Sequence, residues 1–319
     1  MHARLNDWTP MSLPAQRRQM LLAVAGASVL VACGKHALNP AGAHIEDEPA
    51  PATPTPCHLA LVLSGGGLRG FAHVGVLDAL HTLGVVPDLI VGCSAGAIVG
   101  GLYAAGLAAP AITKAALNAR LEDEMDPWIG WLVAPAARSA LIERWLRNLL
   151  PKSHIQHFAH RFVAVATRRD DGTPVALGQG DAVRALLASA AVPGVLAPVR
   201  VREGELIDGG LSQPLPVLLA RAYGAALVIA VDVSFHPLVP APSDRINSVF
   251  HAGLLMSRNL ALRDRDAADL LIEPVLPPVA QITLARRELL VASGRQATLA
   301  LAARIAALVD KSIEAAPLR

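Results

Sequence analysis

Apolar residues fall along this chain in two patterns, short unbroken runs and longer periodic ones. Leu59, Ala60, Leu61, Val62 and Leu63 form a run without a polar side chain, closed by Ser64 and three glycines. A run so short and so bounded predicts a strand buried on both faces. Phe71, Val74, Leu77, Leu80 and Leu83 then recur at three-residue spacing, which predicts a helix. Residues 88–91, 162–166 and 228–232 read as further buried strands. Helices are expected over 111–124, 139–150, 181–190 and 248–269, and one long helix over 284–311. Strands alternating with helices predict an α/β fold, a three-layer α/β/α sandwich around a mostly parallel sheet.

The first 57 residues follow another pattern. Arg17 and Arg18 precede an uncharged run to Ala32, whose apolar part is shorter than the ~20 residues a bilayer span needs. Charge followed by a short apolar run is the layout of an export signal. The run ends Leu30, Val31, Ala32, Cys33, Gly34, which resembles the lipobox of bacterial lipoproteins. That resemblance implies that residues 1–32 are a signal peptide and that Cys33 is lipidated, anchoring the chain to a membrane of the bacterial cell envelope. Gly34 in place of Asp tilts this toward the outer membrane or periplasmic face rather than the cytoplasm. The alternative is a plain signal peptide with a coincidental Cys; the paired arginines match a twin-arginine signal only loosely. Pro40, Pro49, Pro51, Pro54 and Pro56 mark residues 33–57 as a Pro/Ala-rich tether, with a reach of roughly 25 Å. The folded domain is expected over 58–319.

Composition narrows the function. Of 319 residues, 53 % are hydrophobic and 17 % charged, enough apolar surface for an ordered core. Lys and Arg number 28 against 26 Asp and Glu, and no basic stripe stands out, which argues against nucleic acid. Three cysteines make no disulfide framework; Cys57 and Cys93 read as buried thiols.

Three blocks carry candidate chemistry. Gly65, Gly66, Gly67, Leu68, Arg69 and Gly70 join the first strand to the first helix, a context that bares backbone N–H groups at a helix N-terminus. Alone this loop is compatible with a dinucleotide site or a structural turn. Gly92, Cys93, Ser94, Ala95 and Gly96 follow the second strand as Gly-x-Ser-x-Gly, the context of a nucleophile elbow. Residues 89–113 are uncharged, however, and Gly92, Gly96 and Gly100 also fit the small-residue spacing of paired transmembrane helices. Asp208, Gly209 and Gly210 end a third apolar run; Asp-Gly is often only a turn, but Asp208 is a candidate base for Ser94.

In this order the three blocks resemble the patatin-like phospholipase family, and the bacterial branch is matched further by residues 73–77 and 188–194. The likeness covers about residues 59–232. It implies a Ser–Asp dyad, with Ser94 as nucleophile and Asp208 as base, and an oxyanion hole from the amides of Gly66, Gly67, Leu68, Arg69 and Gly70. The implied activity is hydrolysis of phospholipid or other acyl esters, phospholipase A-like or lysophospholipase-like, with no cofactor and no metal. Three positions depart from the family pattern: Ser64 where plant members have Asp, Cys93 where Thr is common, and Leu187 where bacterial members often have Arg.

Rival readings remain open on the sequence. A Ser-His-Asp triad would draw on Ser94, on Asp208 or Asp232, and on His236 or His251, but leaves the glycine loop without a role. His73 reads as a packing or capping residue. His154, His157 and His160 would gather on one helix face as a weak metal candidate. Trp128, Trp131 and Trp145 read as core, with a lipid-touching lip as the alternative. A non-catalytic envelope lipoprotein on the same fold is the third possibility.

Overall fold

The computed structural model describes residues 45–46, 55–118, 135–234, 245–277 and 286–314. In chain order the elements are β1 (Ile45–Glu46), β2 (Cys57–Leu63), α1 (Phe71–Thr82), β3 (Leu89–Cys93), α2 (Ala95–Ala104), α3 (Ala109–Asn118) and α4 (Pro135–Leu149). Then come β4 (Arg161–Arg168), β5 (Pro174–Leu177), β6 (Gln179–Gly180), α5 (Ala182–Ser189), β7 (Val199–Val201), β8 (Gly204–Asp208) and α6 (Val217–Ala222). The chain continues through β9 (Ala225–Val231), α7 (Arg245–Arg265), β10 (Leu270–Ile272), α8 (Arg287–Ala300) and α9 (Ala302–Glu314).

The main sheet runs β10-β9-β2-β3-β4-β8-β7, with β5 also on β4. Its first five strands are parallel, while β5, β8 and β7 pair antiparallel. The two sheet faces seat two separate apolar clusters. Leu61, Leu63, Ile90, Phe162 and Ile229 face Val74, Leu77, Leu102 and Leu186 of α1, α2 and α5. Val62, Val91, Val163 and Val228 face Val217, Ala220 and Ala261 of α6 and α7. Both faces are covered, so the strands read as unbroken apolar runs, and each such Leu or Ile contributes about 1.5–3 kcal/mol through burial. The three-layer sandwich expected from the alternation is the observed architecture.

Register brings the chemistry together. Leu63 pairs with Gly92, Cys93 with Val165 and Ala166 with Asp208. The carboxyl ends of β2, β3 and β8 therefore deliver the glycine loop, Ser94 and Asp208 to one edge of the sheet, the usual place for a ligand in open α/β sheets.

Several expectations change. Residues 89–113 form a strand and two short helices, and no helix among the described residues is long and apolar enough to cross a membrane. Their glycines serve strand–helix packing instead. A Cβ on Gly96 would lie 2.3 Å from the Leu63 carbonyl oxygen, and one on Gly100 would lie 2.8 Å from Ile90 Cγ2. The single C-terminal helix is split at Leu301. Its N–H donates to Thr298 O, an i→i−3 bond one residue tighter than the α-helical one, while the Thr298 hydroxyl donates to Gly294 O. Gly294 is also where α8 crosses α1: a Cβ there would lie 1.9 Å from Ala72 O, and one on Gly75 would lie 1.9 Å from Val291 O. Within the segment read as a tether, β1 pairs with β6. Trp145 packs against the core cluster; Trp128 and Trp131 lie outside the described residues, as does Cys33.

Candidate active site

Ser94 ends β3 and opens α2 with φ 52° and ψ −120°. Among the described residues it is the one non-glycine with a left-handed φ, a conformation that costs of order 1–3 kcal/mol. The bend is sharp enough that the residues two positions to either side, Gly92 and Gly96, must lack side chains: a Cβ on Gly92 would lie 2.5 Å from Ala97 Cα. The Ser94 hydroxyl donates to Asp208 Oδ2 at 2.6 Å. The other carboxyl oxygen, Oδ1, accepts the Gly210 N–H at 2.7 Å. Thr167 Oγ1 donates to the Asp208 carbonyl at 2.8 Å. Ser94 is 6 % exposed and Asp208 5 %. Burial lifts the Asp208 carboxyl from its ordinary 3.8 to about 6, against the downward pull of the Ser94 and Gly210 hydrogen bonds.

The glycine loop leans on this bend. A Cβ on Gly65 would stand 3.5 Å from Ser94 Cβ, and one on Gly70 would stand 2.4 Å from Ala95 Cβ. Gly67 takes φ 55°, open to glycine at little cost. The N–H groups of Gly66, Gly67 and Leu68 meet no acceptor among the described residues. Arg69, expected among the bare amides, departs from that expectation. The loop closes as a tight 3-10 turn over Gly67–Gly70, so the Arg69 N–H donates to Gly66 O at 3.2 Å. The Arg69 side chain is buried, with Nε on Gly66 O and Nη1 on Ser234 O at 3.2 and 3.5 Å. Burial lowers this guanidinium to about 10, with Asp232 opposing.

The neighbouring positions have structural tasks. Ser64 Oγ accepts the Val233 N–H at 2.9 Å, tying the ends of β2 and β9. His73 is fully buried with Nε2 2.9 Å from Ser64 O, and burial lowers its imidazole to about 4. It is therefore neutral at physiological pH, and Nε2 donates to that carbonyl. Leu187 sits in the apolar cluster of α5. Cys57 and Cys93 are free, buried thiols; burial raises Cys57 to about 11 and Cys93 well above the ordinary thiol range.

The rivals find less. Asp232 accepts from the Ser234 N–H and hydroxyl and pairs with Arg265 at 3.2 Å. His236 and the His251 side chain lie outside what is described. Residues 155–157 form one 3-10 turn rather than a helix face, and His160 stacks on Tyr103 with ring centroids 5.4 Å apart. No group of three metal-ligating side chains occurs among the described residues.

Sequence reasoning missed the part played by Ser189. Its hydroxyl accepts the Ser94 N–H at 2.9 Å and donates to Val165 O at 2.5 Å. The signal was present, because Ser189 lies in the 188–194 block that carried the family resemblance.

The patatin-like phospholipase family model matches residues 61–221. An uncharacterized NTE family protein of Mycobacterium tuberculosis is 35 % identical over 189 residues, 57 % of this chain and 51 % of that one. The lysophospholipase NTE1 of Debaryomyces hansenii is 33 % identical over 181 residues, 55 % of this chain and 12 % of that one. The chain thus spans about half the length of its mycobacterial relative and a smaller part of the yeast one. Among solved structures, VipD from Legionella pneumophila aligns with TM-score 0.43 and 16 % identity over 90 % of this chain and 73 % of that one. The type III effector ExoU aligns with TM-score 0.43 and 20 % identity over 79 % and 54 %. The matched stretch runs from β2 to α6 and holds the glycine loop, the bend at Ser94 and the turn at Asp208; this protein belongs to the patatin-like phospholipase family.

Proposed function

We propose that the chain is a serine acyl-ester hydrolase acting on phospholipid or lysophospholipid esters. The observation that carries this reading is the 2.6 Å hydrogen bond from a buried, strained Ser94 to Asp208. A serine hydroxyl is a weak nucleophile that needs a base within such reach. A carboxyl lifted to about 6 is a better proton acceptor than an ordinary one yet remains ionised near neutral pH.

In the proposed course Ser94 Oγ attacks the ester carbonyl carbon while its proton passes to Asp208 Oδ2. The negative charge on the former carbonyl oxygen is met by the unpartnered amides of Gly66, Gly67 and Leu68, each such donor worth about 3 kcal/mol. Collapse breaks the ester C–O bond, and the leaving alkoxide takes the proton from Asp208. Water then attacks the acyl-Ser94 ester, again giving a proton to Asp208, and Ser94 recovers it as the acid departs. Leu68 and Leu211, 40 % and 46 % exposed, lie on the glycine loop and on the turn after Asp208. They offer apolar surface beside the reacting pair, which suits a fatty-acyl substrate, and the lysophospholipase relative supports the same class.

The test is labelling by a fluorophosphonate probe, with the site read by mass spectrometry, alongside fatty-acid release from lysophosphatidylcholine. Label on Ser94, and release abolished in Ser94→Ala and Asp208→Asn, is the expected result; release that survives Ser94→Ala defeats the reading. The lipid anchor at Cys33 is part of the proposal for the cell envelope. Incorporation of an alkyne fatty acid that persists in Cys33→Ser would remove it.

A further inference from the structure

Both members of the reacting pair are held by one turn that touches neither reacting atom. Ser94 N–H donates to Ser189 Oγ, and two residues further on Ala191 O accepts the Asp208 N–H at 3.0 Å. We infer that residues 189–191 are a shared bracket for nucleophile and base, with Ser189 as the positioning residue that sets the Ser94–Asp208 separation. This rests on the hydrolase reading above.

The geometry favours a bracket over incidental packing. Beyond Cys93 the chain turns away from β4, and the Ser189 hydroxyl bridges the Ser94 N–H to Val165 O, taking a proton from one side and giving one to the other. One rotor thus satisfies two backbone groups where the ladder ends, and such chained bonds strengthen each other. Val165 O is also the atom that a Cβ on Gly209 would meet at 2.2 Å, so the same seam bears on the Asp208 turn. The bracket is stiff: α5 is buried along its whole length and capped by Asp181, whose Oδ1 accepts the Arg184 N–H at 2.9 Å. Ser189 itself has no exposed surface and Ala191 only 1 %. A left-handed serine has little intrinsic reason to stay where it is; a fixed acceptor for its N–H supplies one.

The experiment compares Ser189→Ala, Ser189→Cys and Ser189→Thr in the full chain, using a soluble short-chain p-nitrophenyl ester and the rate of fluorophosphonate labelling at Ser94. Cys keeps the volume but bonds poorly; Thr keeps the hydroxyl. Misplacement of a reacting group by about 1 Å can cost a hundredfold, so Ser189→Ala should lose roughly ten- to a hundredfold in kcat and in labelling, with KM within about twofold. Ser189→Cys should resemble Ala, and Ser189→Thr should recover most of the rate. The acid limb of the rate profile should move to higher pH in Ser189→Ala, because the Ser94 bond holds the Asp208 carboxyl down. A kcat and acid limb like those of the parent, or a loss confined to KM, overturns the bracket. If Ser189→Ala does not fold, equal rates for Cys and Thr overturn it and a clear Thr advantage supports it. A parent chain that the probe does not label at Ser94 removes the hydrolase reading itself, and the bracket with it.

Discussion

Replacing Asp208 by Asn should cripple the site and stabilise the protein. Asp208 carries a charge into a place that is 5 % exposed, and its carboxyl is held at about 6 rather than 3.8, chiefly by desolvation. Between those values the folded chain keeps a proton that the unfolded chain has released. The associated stability is fully present below 3.8 and is lost as the pH rises through about 6. At about 1.4 kcal/mol per pH unit, the ionised carboxylate burdens the fold by roughly 3 kcal/mol above neutrality. Asn cannot ionise and can still accept from Gly210 and bond Ser94. Asp208→Asn should therefore be more stable than the parent by up to about 3 kcal/mol near pH 8, and by about half of that near pH 5. Urea unfolding at the two pH values measures the difference, while ester hydrolysis should fall by about 10²–10⁴-fold with the base gone. A stability difference that does not change with pH, or an Asn variant that is less stable near pH 8, would refute the desolvation argument.

The same carboxyl predicts the pH dependence of the parent. Hydrolysis should rise with pH through an ionisation near 6, the ionised form being the proposed base, and an initial-rate profile lacking that limb would reassign the base. Gly70→Ala places a Cβ 2.4 Å from Ala95 Cβ, so it should wedge the glycine loop off the bend and cost at least about tenfold in kcat/KM with modest loss of stability. Gly67→Pro demands φ near −65° where the loop has 55° and should be nearly inactive, read as loss of probe labelling. Gly75→Ala is the distant control: a Cβ 1.9 Å from Val291 O should drive α1 and α8 apart. It should lower stability by about 1–3 kcal/mol or more while the folded fraction keeps its rate, checked by thermal melting and active-site titration.

The alternation of apolar runs with helical periods determined the parallel half of the sheet, because the central residues of β2, β3, β4 and β9 are covered on both faces and are apolar, polar side chains such as His58, Arg161 and Arg168 falling near the strand ends. The spacing Gly-x-Ser-x-Gly likewise determined the bend at Ser94, since only small neighbours allow strand and helix to approach so closely. Local pattern did not carry β5, β7 and β10, which are three or four residues long and take their shape from the strands they pair with. Nor did it carry the break at Leu301, where no Gly or Pro interrupts the helical period. The distance between Ser94 and Asp208 was beyond any local signal. They lie 114 residues apart in the chain, and only the strand register, the buried turn at 189–191 and the exclusion of water bring a hydroxyl to a carboxylate and change what that carboxylate can do.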